Sequence, residues 1–195
     1  MAELEIIGPQ DDPGVRICRM SCLEKNLPYR HREVARHSAL AKRENQLGML
    51  PALRHGKVRL FGARSITHYI DCHFNRRSLI PANIIRAAEV EQWIALVECS
   101  LNNRPHSQLC GDSEVHDDIH PCLHAVSDGI GTRMFLVGRG FTLADIWLMP
   151  TADALQRQIG SEKLLKDYPA LGLWFQKHSS RKSWATLLQA EDLSR

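Results

Sequence analysis

None of the six cysteines (Cys18, Cys22, Cys72, Cys99, Cys110 and Cys122) stands in a C-x-x-C pair. That absence argues against a zinc knuckle, and scattered thiols give no framework for a disulfide scaffold. Buried, reduced thiols of a cytoplasmic protein are the expectation. No apolar run approaches the roughly 18 residues that a membrane span needs. The opening MAELEIIG has neither the basic patch nor the long apolar stretch of a secretory signal. Aromatic residues make up 6% of the chain, and no basic block is interleaved with them, which argues against nucleic acid. Internal repeats and low-complexity segments are missing too.

What is present suits a soluble globular protein. The chain has 195 residues, 44% apolar and 24% charged, enough for one large domain or two small ones. Charge is unevenly placed. Residues 1–80 carry 14 Lys and Arg against 8 Asp and Glu, a net +6, whereas the remainder carries 11 against 14, a net −3. Two solvated surfaces of different composition account for this, and so does an N-terminal domain that receives a small anionic ligand.

The pattern changes near residue 80. Before it, Leu4 to Gly8 reads as a strand, and Asp12-Pro13 as a helix start with an acidic cap and proline in the first turn. Val15, Cys18, Met20, Cys22 and Leu23 give that helix an apolar face to about Lys25. Tyr29 to Val34 is a second strand, which makes a βαβ unit. Arg36 to Gln46 is polar and basic, a short helix or loop. Gly48 to Ile70 then predicts a strand opened by Pro51, a tight turn, a second strand and a helix from Arg64 to Phe74. A proline at that place starts an edge strand or sits cis in a tight turn.

Arg76 to Ala82 suits a linker, and beyond it the pattern is helical. Ile84 to Leu101 has apolar residues at helical spacing. Asn102 to Asp118 reads as an irregular connection, and the next helix is placed from His120 to Gly131 because Pro121 belongs in a first turn. Thr142 to Asp145 is a capping box with Phe141 as its hydrophobic staple. Pro150 marks a kink or a crowded side. Tyr168-Pro169 opens a further helix, and Trp184 to Leu188 closes the fold. Cys18 and Cys22, four apart on a packed face, read as structural thiols. His116, His120 and His124 also step by four, but Pro121 interrupts them and no further ligand completes a set, so no metal site is assigned.

The residues Val15-Arg16, Glu24 to Tyr29, Asn45-x-x-Gly48-x-x-Pro51-Ala52-Leu53, Leu60-Phe61, Ile66 and Tyr69-Ile70, together with Gly140 to Ile146 and Tyr168-Pro169-x-Leu171-x-x-Trp174, resemble the cytosolic glutathione transferase superfamily. The resemblance covers nearly the whole chain. It implies an α/β N-terminal thioredoxin-like domain (residues 1–75, β1α1β2α2β3β4α3), a linker (76–83) and an all-α C-terminal helical domain (84–195). It implies Pro51 in cis, with the main chain of Leu50 pairing with the cysteinyl part of glutathione like an added strand. It further implies a homodimer and a pocket for a small hydrophobic co-substrate, lined from the loop after Gly8, from Trp93 to Asn103 and from His106 to Asp118.

Two positions depart from the family pattern. Where the family has Ser, Tyr or Cys to donate a hydrogen bond to the glutathione thiol, or to react itself, Asp12 precedes Pro13-Gly14-Val15-Arg16. An ionised carboxylate cannot donate, and its charge raises the pKa of a nearby thiol. Asp12 is therefore either a general base or a helix cap. The Glu-Ser pair that holds the γ-glutamyl end becomes Gly62-Ala63. Backbone N–H groups at Ala63, with Arg64 and Ser65, are the substitutes, and Arg36 or His37 would meet a second carboxylate. The expectation is an atypical glutathione-transferase-like enzyme moving glutathione or a related thiol to a small electrophile. Two alternatives stand beside it: a binding or regulatory protein without catalysis, and an enzyme using another ligand.

Overall fold

The computed structural model describes residues 3–99 and 113–193. Of the irregular connection expected from Asn102 to Asp118, the part up to residue 112, which holds Cys110 and much of the co-substrate wall, lies outside the described residues, and the backbone of Ser113 to Asp118 is helical instead. The chain divides into two units, Met1–Leu79 with Arg181–Arg195, and Ile80–Ser180.

The first unit contains β1 (Leu4–Ile7), α1 (Pro13–Glu24), β2 (Arg30–Arg32), α2 (Ala39–Glu44), β3 (Ala52–His55), β4 (Val58–Phe61) and α3 (Ala63–His73). The strands lie in the order β2-β1-β3-β4. β1 pairs parallel with β2, Ile6 opposite His31, and antiparallel with β3, Ile6 opposite Leu53. β3 and β4 form a hairpin. Alternation along β1 feeds both faces of the sheet. Leu4 and Ile6 pack with Val15, Cys18 and Cys22 of α1 and Ile66 and Ile70 of α3. Ile7 points the other way, to Val34, Ala41 and Ala52.

Helix α1 starts where its capping chemistry puts it. Asp12 accepts from Val15 N–H at 2.8 Å, and Pro13 fills a first-turn position whose missing N–H costs nothing. The Leu50–Pro51 peptide is cis, and the Pro51 carbonyl accepts from Gly62 N–H at 2.9 Å, which ties the segment before β3 to the start of α3. At the far end of α1, Lys25 is fully buried and donates to Asp71 Oδ1 (2.9 Å), Asp71 O (3.0 Å) and Arg77 O (3.1 Å).

The closing helix, numbered α9 below (Lys182–Asp192), belongs by its contacts to this first unit rather than to the helical one. It buries Trp184 and Leu187 and also carries charges that the first unit needs. Arg16 and Arg19 of α1 are buried and need a counter-charge, which Glu191 provides at 2.6 and 3.2 Å. The side chain of Glu24 is also largely covered, and it is met by Arg181 at 2.5 and 2.7 Å, and by the Ser183 hydroxyl.

The second unit contains α4 (Ile84–Val97), α5 (Ser113–Ile130), α6 (Leu143–Ile159), α7 (Ser161–Asp167) and α8 (Pro169–His178). Helix α6 is its centre, buried without interruption from Leu143 to Asp153. Asp145 takes Thr142 N–H at 2.8 Å, the Thr142 hydroxyl at 3.0 Å and Leu136 N–H at 2.9 Å. Phe141 is buried against the rings of Phe135 and His178. Two expectations are corrected. Helix α5 begins at Ser113, seven residues before the expected start, and Pro121 lies inside it. Pro121 sits on the exposed side, while Leu123, Val126 and Ile130 are buried, so a carbonyl that loses its partner can turn to water. The short helix α7 is absent from the sequence reading altogether.

Candidate functional site

Four segments of the first unit meet around Gly14, in the first turn of α1. A Cβ placed there would lie 3.0 Å from Pro51 Cδ, 3.1 Å from Asp12 Oδ1 and 3.5 Å from Ala63 Cβ. Gly8, at the exit of β1, is as tight: a Cβ would fall 2.6 Å from Val15 Cγ2 and 3.5 Å from Leu50 Cβ. Its φ of +148° adds a conformation that side chains resist. Both glycines let the backbone of α1 and the exit of β1 come against Leu50-Pro51. Asp12, Leu50, Pro51 and Ala63, expected as site residues from far-apart stretches of sequence, are therefore drawn together.

Asp12 is buried, at 4% exposure. Its Oδ1 caps α1, and its Oδ2 pairs with Arg36 Nη2. Arg36 comes from the segment between β2 and α2 and is half exposed. The sequence reading pointed Arg36 at a ligand carboxylate, but in the structure its guanidinium meets a protein carboxylate. His37 is exposed and holds a positive φ of 58° at the turn before Ser38, whose hydroxyl caps α2.

At the head of α3, Gly62 is the N-cap and makes no side-chain cap hydrogen bond. Ala63 is half-buried, and the side chains of Arg64 and Ser65 are exposed in the first turn. The positive end of the helix dipole and its leading N–H groups thus adjoin the Gly14–Pro51 contact, an arrangement suited to a carboxylate. His31 is a neighbour that the sequence did not single out. Its Nε2 lies 3.0 Å from Gly8 O, and burial first, then the charge of Arg19, pushes its pKa down. The signal available in the sequence was its place opposite β1 in the βαβ unit.

Cys18 and Cys22 are fully buried, and burial pushes both thiols far above their ordinary range. A thiol held protonated is a poor nucleophile. Of the spaced histidines, His116 has a side chain outside the described residues. His120 bonds the Tyr168 hydroxyl through Nδ1, and His124 packs on the same ring. Among the described residues no group of three or more His, Cys, Asp or Glu is placed to hold a metal ion. No helix among them is long and apolar enough to cross a membrane.

Comparison with known proteins identifies the family of the chain. Residues 13–78 match the glutathione S-transferase N-terminal domain, and residues 115–182 match the glutathione S-transferase C-terminal domain. Glutathione S-transferase F10 of Arabidopsis thaliana is 27% identical over 154 residues, covering 70% of this chain and 72% of its own. The crystal structure of poplar glutathione transferase F1 superposes with a TM-score of 0.84 at 20% identity, covering 98% of this chain and 99% of that one. Rice GST1, solved in complex with glutathione, gives 0.83 at 21% identity over 98% and 94%. Both domain families occur here in order on a matching fold, and the chain belongs, as a distant member, to the glutathione S-transferase superfamily.

Proposed function

We propose that the first unit binds glutathione or a related anionic thiol beside Gly14 and Pro51, and that the protein transfers that thiol to a small hydrophobic electrophile. The observation that carries this reading is the convergence of the first turn of α1, the Leu50-Pro51 segment and the head of α3 at Gly14. Solved relatives of the same fold carry glutathione, among them rice GST1 and a homologue from Drosophila mojavensis. In this reading the main chain of Leu50 pairs with the cysteinyl unit, and the N–H groups at Ala63 to Ser65 take a terminal carboxylate. Asp12 acts as a cap and an anchor for Arg36, because both of its oxygens are engaged. The homodimer and the hydrophobic co-substrate belong to the same proposal.

The engaged Asp12 also favours a second reading, a protein that binds the thiol without turning it over. Calorimetry with glutathione, paired with an assay on an aromatic electrophile, separates the two. Binding with turnover supports the enzyme, and binding without turnover of any electrophile supports the binding protein. No heat at millimolar glutathione removes both and leaves an anionic ligand of another kind.

A further inference from the structure

The position that supplies a hydroxyl donor elsewhere in the family is occupied here by Asp12, which when ionised only accepts hydrogen bonds. A bare carboxylate beside Gly14 would hold a bound thiol in its protonated form. The structure does not leave it bare. Arg36 Nη2 sits on Oδ2, the oxygen that the helix cap does not use. Asp12 is 4% exposed while the Arg36 side chain is 52% exposed, so the pair presents its cationic partner outward. Asp12 Oδ1 and Pro51 Cδ lie 3.1 and 3.0 Å from the point a Gly14 Cβ would occupy, so the carboxylate that holds Arg36 stands beside Gly14 and Pro51.

We propose that Arg36, anchored by Asp12, supplies the positive charge that holds the sulfur of the bound thiol as a thiolate beside Gly14 and Pro51, in place of the hydroxyl donor. The inference rests on the thiol-binding reading above. In the step itself the S–H bond breaks, the proton leaves to water, the electron pair stays on sulfur, and the guanidinium offsets the new charge. Arginine suits the task because it keeps its charge across the working pH range and presents several N–H donors in a fixed fork. One fork arm can hold Asp12 while others face the ligand. Other charged or titratable groups adjoining these residues include Asp11 beside Asp12, His31 against Gly8 O, and Arg64 beside Ala63, while Arg16 and Arg19 farther along α1 are paired with Glu191. His31 has its pKa pushed down by burial, and so brings little positive charge near neutrality.

The test is the titration of glutathione bound to the full chain, followed by thiolate absorbance, with binding measured in parallel by calorimetry. In the wild type the bound thiol should ionise at lower pH than free glutathione. Arg36→Gln should move that midpoint up by about one pH unit or more while binding persists, and Arg36→Lys should restore most of the difference. Arg43→Gln, which removes an exposed positive charge on the adjacent α2, should leave the midpoint in place. An unchanged midpoint in Arg36→Gln with glutathione bound overturns the role of Arg36 and leaves the thiol-binding reading intact. A wild-type midpoint equal to that of free glutathione does the same. Absence of wild-type binding overturns the thiol-binding reading itself, and the inference with it.

Discussion

Arg16 and Glu191 stand 175 positions apart in the chain and share two hydrogen bonds, at 3.0 and 2.6 Å, in a place where both side chains are almost wholly removed from water. Arg19 adds a third at 3.2 Å, and donates to the Tyr29 hydroxyl at 3.4 Å. Breaking such a group by removing one partner strands the others. Glu191→Ala should therefore destabilise the first unit by about 3 kcal/mol, seen as a lower urea midpoint. A change below about 1 kcal/mol would mean that water reaches both guanidinium groups.

The two roles of Asp12 separate by substitution. Asn at position 12 keeps an acceptor for Val15 N–H, whereas Ala loses it. Asp12→Ala should cost about 1 kcal/mol of stability through the cap and Asp12→Asn much less. The ion pair adds little to either figure, because Arg36 is half exposed. Turnover that falls in both variants alike would assign the loss to the missing charge, not to the cap. Denaturant unfolding alongside steady-state rates makes the comparison.

Gly8 and Gly62 should respond differently to alanine. At Gly8 the new methyl group meets Val15 Cγ2 at 2.6 Å, a stiff β-branched side chain that is itself fully buried. At Gly62 the φ of +82° is equally unfavourable, but nothing lies within 4 Å. Gly62→Ala should cost about 1–2 kcal/mol from backbone strain alone, and Gly8→Ala roughly 2 kcal/mol more from crowding. Thermal unfolding of the two variants tests the order.

Glu24 sets part of the acid limit. Burial works to raise its pKa, but the hydrogen bonds of Arg181 and Ser183 and the charges of Arg181 and Arg77 outweigh burial and hold it below the ordinary 4.5. A carboxylate depressed in the folded state contributes stability that is present above its unfolded pKa and is lost as pH falls through its folded pKa. The stability gap between wild type and Glu24→Gln should thus be constant near neutrality and shrink below about pH 4.5. A gap that stays constant down to pH 3 would contradict the assignment.

Thiol labelling of the native protein should reach Cys72 and Cys99, which are exposed, well before Cys18 and Cys22. The latter pair should react only after denaturant is added, at a rate that tracks unfolding.

How much of this was legible from residue order depended on the range of each interaction. The start of α1 at Asp12-Pro13 and the box from Thr142 to Asp145 were readable because both are local hydrogen-bond patterns, complete within four residues. The Gly62-Ala63 departure was visible by register with Ile66 and Tyr69. The Asp12–Arg36 pair was not, since the segment after β2 could aim Arg36 at either a ligand or the protein. The attachment of α9 was also hidden. Nothing near Glu191 says which arginines it neutralises, and the boundary suggested at Arg76 implied a continuous helical domain to the end. Pro121 misled for an opposite reason: a strong local signal was overruled by the apolar face of Leu123, Val126 and Ile130.

The attachment of α9 gives the order of synthesis a physical meaning. The sheet and the first three helices leave the ribosome early, yet the Glu191 carboxylate that Arg16 and Arg19 share and the Arg181 guanidinium that meets Glu24 are not made until residues 181–191. During that interval the helical unit, contiguous in sequence from Ile80 to Ser180, is translated. The unit encoded first is thus the one completed last, and the ribosome-bound chain carries a half-finished sheet domain whose buried charges still need water.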